Sequence, residues 1–171
     1  MKRSASVRTV YIVQAGLIAA VYTAVTVLLQ PFSFGAVQVR AAELLTVLPV
    51  YTPAAIPGLA VGCFLSNLLC MSANPAGGWD LLLGTAATLS AAVLSYVWRK
   101  RRVKGLPVLS TLPPVIVNAF VVGSELSLVY GGWPWSVHVL SVAAGQAVAC
   151  IGGGLIFAVM LQKTGADKRL S

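Results

Sequence analysis

The sequence predicts an all-α integral membrane protein, a single transmembrane domain over residues 1–171 built as a six-transmembrane-helix bundle with N- and C-termini cytoplasmic. Three observations point there. The residues are 58% hydrophobic and only 9% charged, too little polar surface for a soluble domain of this size. Turn residues cut the apolar sequence into lengths near the roughly 20 residues that cross a hydrocarbon core. The formal charge of +8 gathers mainly in three places: Lys2, Arg3 and Arg8, then Arg99 to Arg102 with Lys104, then Lys163, Lys168 and Arg169. If the first cluster is cytoplasmic, six spans put the other two on the same side, as the positive-inside rule requires. That distribution favours a membrane explanation of the charge over nucleic-acid binding, and the basic stems also reach anionic head groups.

The spans are read in order as about 10–30, 40–50, 54–71, 79–98, 106–130 and 136–161. The first, Val10 to Leu29, is closed by Pro31, which cannot continue a helix. Its basic start and apolar run are those of a signal peptide, but the run is too long and lacks a small-x-small cleavage site, so it is expected to be retained. Phe32 to Val39 alternate partially and suit an extended or re-entrant loop. A short second helix starts at Arg40, and Pro49 and Pro53 punctuate the turn after it. Ser72 to Gly78 form a loop by turn chemistry before the fourth span. Pro113 and Pro114 are expected to bend the fifth near its start, and Gly131 to Trp135 make the last turn.

Three of the four acidic residues, Glu43, Asp80 and Glu125, fall inside or at the edges of these apolar segments. A charge at a bilayer centre costs about 2.5 to 3.5 kcal/mol on insertion scales, so such residues face a bundle interior or an aqueous cavity. Arg40 and Glu43, three apart, form either a structural ion pair or a ligand-facing pair in which Arg40 holds Glu43 in place. Asp80 is either a first-turn acid favoured by the helix dipole or part of the same site. Glu125 lies about a turn and a half inside the outer end of its helix among apolar, Ser and Gly neighbours, and is read as a site residue. Asn67 and Asn118 either bridge helices or bind ligand. Trp98 is an inner anchor, whereas Trp79, Trp133 and Trp135 form an outer aromatic belt. Trp79 and Trp133 each follow a Gly-Gly pair and also offer rings on which a flat heteroaromatic ligand stacks.

Several functions are not indicated. Cys63, Cys70 and Cys150 are odd in number and embedded in apolar runs, which suits packing residues and neither disulfides nor metal ligands. His138 has no second His or Cys at ligand spacing, so no metal site is expected. There is no phosphate-binding loop, no paired-histidine zinc motif and no nucleophile-elbow serine, hence no motor and no catalytic residue. Small residues at four-residue spacing are the remaining signal: Ala15 and Ala19, Gly16 and Ala20, Ala20 and Ala24, Gly58 and Gly62. They serve close packing within the bundle or, on the first helix, docking of another membrane protein.

The run from Phe34 to Pro49, with Gln38, Arg40, Glu43 and Leu44, followed by Pro53 to Cys63, Asn67, Asp80 and Gly84, resembles the QueT family. These are small six-helix substrate-binding (S) subunits of energy-coupling-factor (ECF) transporters. The resemblance implies uptake at the plasma membrane of a queuosine precursor, a deazaguanine base. It also implies partners: a membrane coupling protein and two ATPase subunits that use the ATP, with no cofactor in this chain. Under that resemblance Glu43 or Glu125 meets the adjacent N–H donors of the base or its cationic arm. The Ala15/Ala19 spacing looks like the alanine motif by which such subunits dock, with Gly16/Ala20 and Ala20/Ala24 as overlapping registers. The alternative is a stand-alone proton-coupled carrier of a small flat amine or nucleobase-like solute, in which Glu125 titrates.

Overall fold

The computed structural model describes residues 2–34, 38–74 and 76–170, with side chains from residue 7 onward. Of the loops expected around Phe32 to Val39 and Ser72 to Gly78, Gly35, Ala36, Val37 and Pro75 lie outside the described residues, as do the side chains of Lys2 and Arg3.

Helix α1 (Lys2–Leu28) is followed by a one-turn helix, α2 (Gln30–Ser33), with Pro31 in its first turn. Pro31 thus opens a turn, where its fixed φ is suited and its missing N–H would have no helical partner. Ala41–Val50 is a ten-residue 3₁₀-helix. Such runs are uncommon, and here the sequence and its surroundings cooperate. Thr46 Oγ1 donates to the Glu43 carbonyl at 2.6 Å, Pro49 has no amide hydrogen, and α1, α4, α7 and a π-helical segment pack around it.

Helix α3 (Ala55–Leu69) crosses α1 through its two glycines. A Cβ on Gly58 would stand 2.8 Å from the Ala15 carbonyl oxygen, and one on Gly62 would stand 2.8 Å from Tyr22 Cβ. In lipid, where apolar side chains gain nothing by leaving water, close backbone approach of this kind supplies much of the association. Helix α4 (Gly78–Val97) starts after Gly77, whose φ of 50° favours glycine. A 3₁₀ turn, Val108–Thr111, leads into α5 (Leu112–Tyr130), so Pro113 and Pro114 sit in a first turn where a bend was expected. Gly131 and Gly132, at φ 57° and 72°, make the turn into α6 (Trp135–Gln146). That helix continues through the π-helical segment, Ala147–Gly153, into α7 (Gly154–Thr164), and α8 (Asp167–Leu170) ends the described chain.

Among the described residues four stretches are long and apolar enough to cross a membrane: Val7–Leu28, Gly78–Val97, Val108–Tyr130 and Trp135–Thr164. The second and third expected spans are helical and apolar but short, Ala41–Val50 and Ala55–Leu69. Ten residues of 3₁₀-helix rise about 20 Å and fifteen of α-helix about 22 Å, against a core of about 30 Å. The basic segments share one end of the bundle. Gln162 Nε2 donates to the Gly105 carbonyl at 3.2 Å, Arg102 lies over the Tyr51 ring, and Arg169 borders a groove with Val7, Tyr11 and Thr52. The core near the short helix is built by Ile18, Tyr22, Leu45, Leu48, Leu59 and Cys63, and Val122, Leu126 and Val142 knit α5 to α6.

Candidate functional site

The non-helical backbone of Arg40, at φ −81° and ψ 89°, takes its side chain out of phase with the 3₁₀-helix it precedes. Arg40 pairs with Asp80 on α4, so of the two alternatives for Arg40 and Glu43 the structural ion pair is corrected: the acid that Arg40 meets is Asp80. The same Nη2 donates to Asn67 Oδ1 at 3.0 Å, and the guanidinium carbon lies 5.2 Å from the Phe34 ring centroid. Asn67 Nδ2 donates to the Asp80 carbonyl at 2.8 Å, and Asn74 Nδ2 to Asp80 Oδ2 at 2.7 Å. Both readings of Asp80 meet here, since it lies in the first turn of α4 and also holds the ion pair. Gly84, one turn on, has to be glycine: a Cβ would collide with Asp80 Oδ1 and stand 3.2 Å from Asn67 Nδ2.

Glu43 is anchored separately. Tyr22 OH donates to Oε1 at 2.6 Å and Thr88 Oγ1 to the same oxygen at 3.4 Å. Thr88 also reaches Cys63 Sγ at 3.3 Å, and Asn67 reaches it at 3.6 Å, so one buried network runs from α1 through the short helix and α3 to α4. The three cysteines are free and buried. Tyr22, Thr88 and Asn74 were not among the expected site residues. Their signal was present: each is polar within or beside a strongly apolar segment.

The α5–α6 side differs. Glu125 is 3% exposed, Asn118 0% and His138 1%, and both terminal polar atoms of each lack a hydrogen-bond partner. Glu125 and Asn118, seven apart, share a face of α5, and Glu125 lies within electrostatic range of Asp80 and Arg40. Further unpartnered buried atoms are Gln38 Oε1, Glu43 Oε2, Asp80 Oδ1 and Arg40 Nε and Nη1, with Ser110 Oγ and Asp167 Oδ1 elsewhere in the fold. An unsatisfied buried polar atom costs about 1 to 3 kcal/mol, more when charged, so this concentration makes the region the candidate site.

Access is at the end of the bundle opposite the basic segments. A crevice of about 260 Å³ between α4 and α5 is lined by Trp79, Leu83, Val121, Ser124, Glu125 and Leu128, among others. A second, of about 220 Å³, is lined by Tyr130, Gly131, Gly132, Trp133 and His138. Trp79 is 68% exposed and Trp133 51%, which suits an interfacial belt, yet each borders one of these openings. Trp133 stacks near His138 with ring centroids 5.7 Å apart, and Trp135 Nε1 donates to Ser124 at 3.0 Å. Among the described residues no three His, Cys, Asp or Glu side chains converge as a metal site.

On α1, Ala15, Gly16 and Ala19 border an apolar groove with Gly58 and Val61, and the carbonyls of Ala15 and Ala19 close against Gly58 and Gly62 of α3. Gly16, Ala20 and Ala24 are exposed.

Apolar helices long enough to cross a bilayer, packed around a buried polar interior, define a membrane protein. The family model described as QueT transporter matches residues 12–163, nearly the whole chain, and the chain belongs to that family. No curated protein and no solved structure gives a significant match.

Proposed function

We propose that the chain is the membrane-embedded substrate-binding subunit of an ECF-type uptake transporter, which takes a queuosine precursor, a deazaguanine base, from outside and hands it to an ATP-driven coupling module. The observation that carries this reading is the set of buried donors and acceptors without partners, of which Glu125 also lines the crevice, in a chain of the QueT family. Arg40, Glu43, Asn67, Asp80, Asn118 and Glu125 supply the polar contacts, and Trp79 and Trp133 cover the openings. The chain crosses the plasma membrane six times, the two short apolar helices being completed across the bilayer by their flanking loops and local thinning. The gathering of Arg102, Lys104 and Arg169 at one end supports cytoplasmic termini. The exposed face of α1, from the Ala15/Ala19 groove across Gly16, Ala20 and Ala24, is the side on which the coupling protein docks, with two ATPase subunits beneath it.

The test is reconstitution in liposomes. Uptake of a deazaguanine base is expected only when the coupling protein, both ATPases and ATP are present, with calorimetric binding to the chain alone. Accumulation by the purified chain without those partners would replace this reading with a stand-alone carrier.

A further inference from the structure

At the basic end of the bundle α1 outruns the two short helices beside it. Thr52, in the turn between the 3₁₀-helix and α3, donates to Gln14 Oε1 at 3.0 Å, which sets that turn level with Gln14. Val7 lies seven residues nearer the N-terminus, so α1 rises about 10 Å past the turn. The shelf this leaves is walled on its far side by α8, whose Leu170 packs on the core around Val47, Val50 and Tyr51. Between the walls is a groove of about 330 Å³, with Val7, Val10, Pro53 and Leu170 as its apolar lining and Arg169 at its edge. Tyr11 and Gln14 line it as well.

Its place and its charge together decide what fits it. Val7 and Val10 are 67% and 52% exposed and begin a stretch long and apolar enough to cross a bilayer, so the groove lies at a membrane edge. Plain hydrocarbon there would leave the Arg169 guanidinium without a counter-ion and the Gln14 amide N–H groups without an acceptor. Every Lys and Arg except Arg40 belongs to the three basic clusters, and of the four acids only Asp167 stands among them. Asp167 lies within electrostatic range of Tyr51 and offsets one of these cations. The excess remains strongly positive. A phosphodiester takes two parallel hydrogen bonds from an Arg, and acyl chains suit the valines and Leu170. A zwitterionic lipid brings its own cation, which the surrounding Lys and Arg repel. An acidic soluble segment would satisfy Arg169 but not the apolar walls.

We infer that this groove is a binding site for an anionic phospholipid, whose phosphate is met by Arg169 with the Tyr11 hydroxyl and the Gln14 amide beside it, and whose chains lie against Val7, Val10 and Leu170. The inference goes beyond the uptake reading and holds whatever solute the polar interior takes. The headgroup fills the shelf over the short helices, so the bilayer surface dips to meet them.

Native mass spectrometry of the full chain in mild detergent, with phosphatidylglycerol and phosphatidylcholine of matched acyl chains as probes, tests this. Phosphatidylglycerol is expected to be retained roughly fivefold to tenfold more tightly, the scale of one or two basic residues at an anionic surface. Arg169→Gln should abolish that preference, whereas Arg101→Gln, the same loss of charge outside the groove, should keep it. Val10→Trp fills the groove from an exposed position without changing the charge, and should release the phosphatidylglycerol. Inorganic phosphate should not displace it. Equal retention of the two lipids, equal losses in Arg169→Gln and Arg101→Gln, or undiminished retention in Val10→Trp would reduce the effect to diffuse surface charge and overturn the inference. Displacement by inorganic phosphate would overturn it too, in favour of a site for a free anion.

Discussion

The polar interior has two sides that are finished to different degrees. On the side of the short helix, α3 and α4, Arg40, Asp80, Asn67 and Asn74 close on one another, and Glu43 is gripped by Tyr22 and Thr88. On the α5–α6 side, Asn118, Glu125 and His138 are as deeply buried but hold nothing. Equal burial therefore conceals unequal roles. The first side engages part of its polar capacity in fixing its own geometry and leaves Arg40 Nε and Nη1, Glu43 Oε2 and Asp80 Oδ1 unpartnered, whereas the second leaves the terminal polar atoms of all three residues unpartnered.

That contrast can be broken most directly at Arg40. Arg40→Ala leaves Asp80 as an unpaired buried charge and is expected to cost about 3 to 5 kcal/mol of stability, read as a large fall in melting temperature in detergent. An unchanged melting temperature would show the closed side to be no more structural than the open one. Tyr22→Phe tests the same side more gently, removing one hydroxyl donor from Glu43 for about 1 to 3 kcal/mol. On the open side, Asn118→Leu replaces an unpartnered amide by an apolar group of similar volume. Its stability is expected to stay within about 1 kcal/mol of the parent or to rise, while ligand affinity in calorimetry falls about tenfold. A stability loss as large as that of Arg40→Ala would erase the distinction between the two sides.

How much of this was legible beforehand follows from what a linear sequence records. Glu125 stood out because a lone carboxylate in an apolar run has no local use, whereas Asp80 also read as a first-turn acid and Asn67 and Asn118 also as bridges between helices. The partner of Arg40 did not, because the pairing with Asp80 spans forty positions and depends on Arg40 leaving the helical path. His138 was weighed as a metal ligand and set aside, although a buried imidazole with both nitrogens unpartnered is notable on other grounds. Tyr22 and Thr88 are uncharged residues within apolar helices, and nothing local ties either to Glu43. The long helices were legible from hydropathy. Whether a stretch winds as α, 3₁₀ or π depends on which carbonyl each amide selects, and apolar patterning does not encode that choice, so Ala41–Val50 and Ala147–Gly153 could not be read.

The π-helical winding has a geometric consequence. Gly145 and Gly154 both face the segment around the short helix: a Cβ on Gly145 would strike the Gln38 carbonyl, and one on Gly154 would stand 3.5 Å from the Leu44 carbonyl. In an unbroken α-helix, residues nine apart point to roughly opposite sides. The wider coil between them delays the rotation, so the last long rod presents the same flank to its neighbour both above and below the distortion. The floor on which Glu43 stands is in this way clasped along its length by a single piece of chain. A displacement of either portion of that rod would be felt directly beneath Glu43.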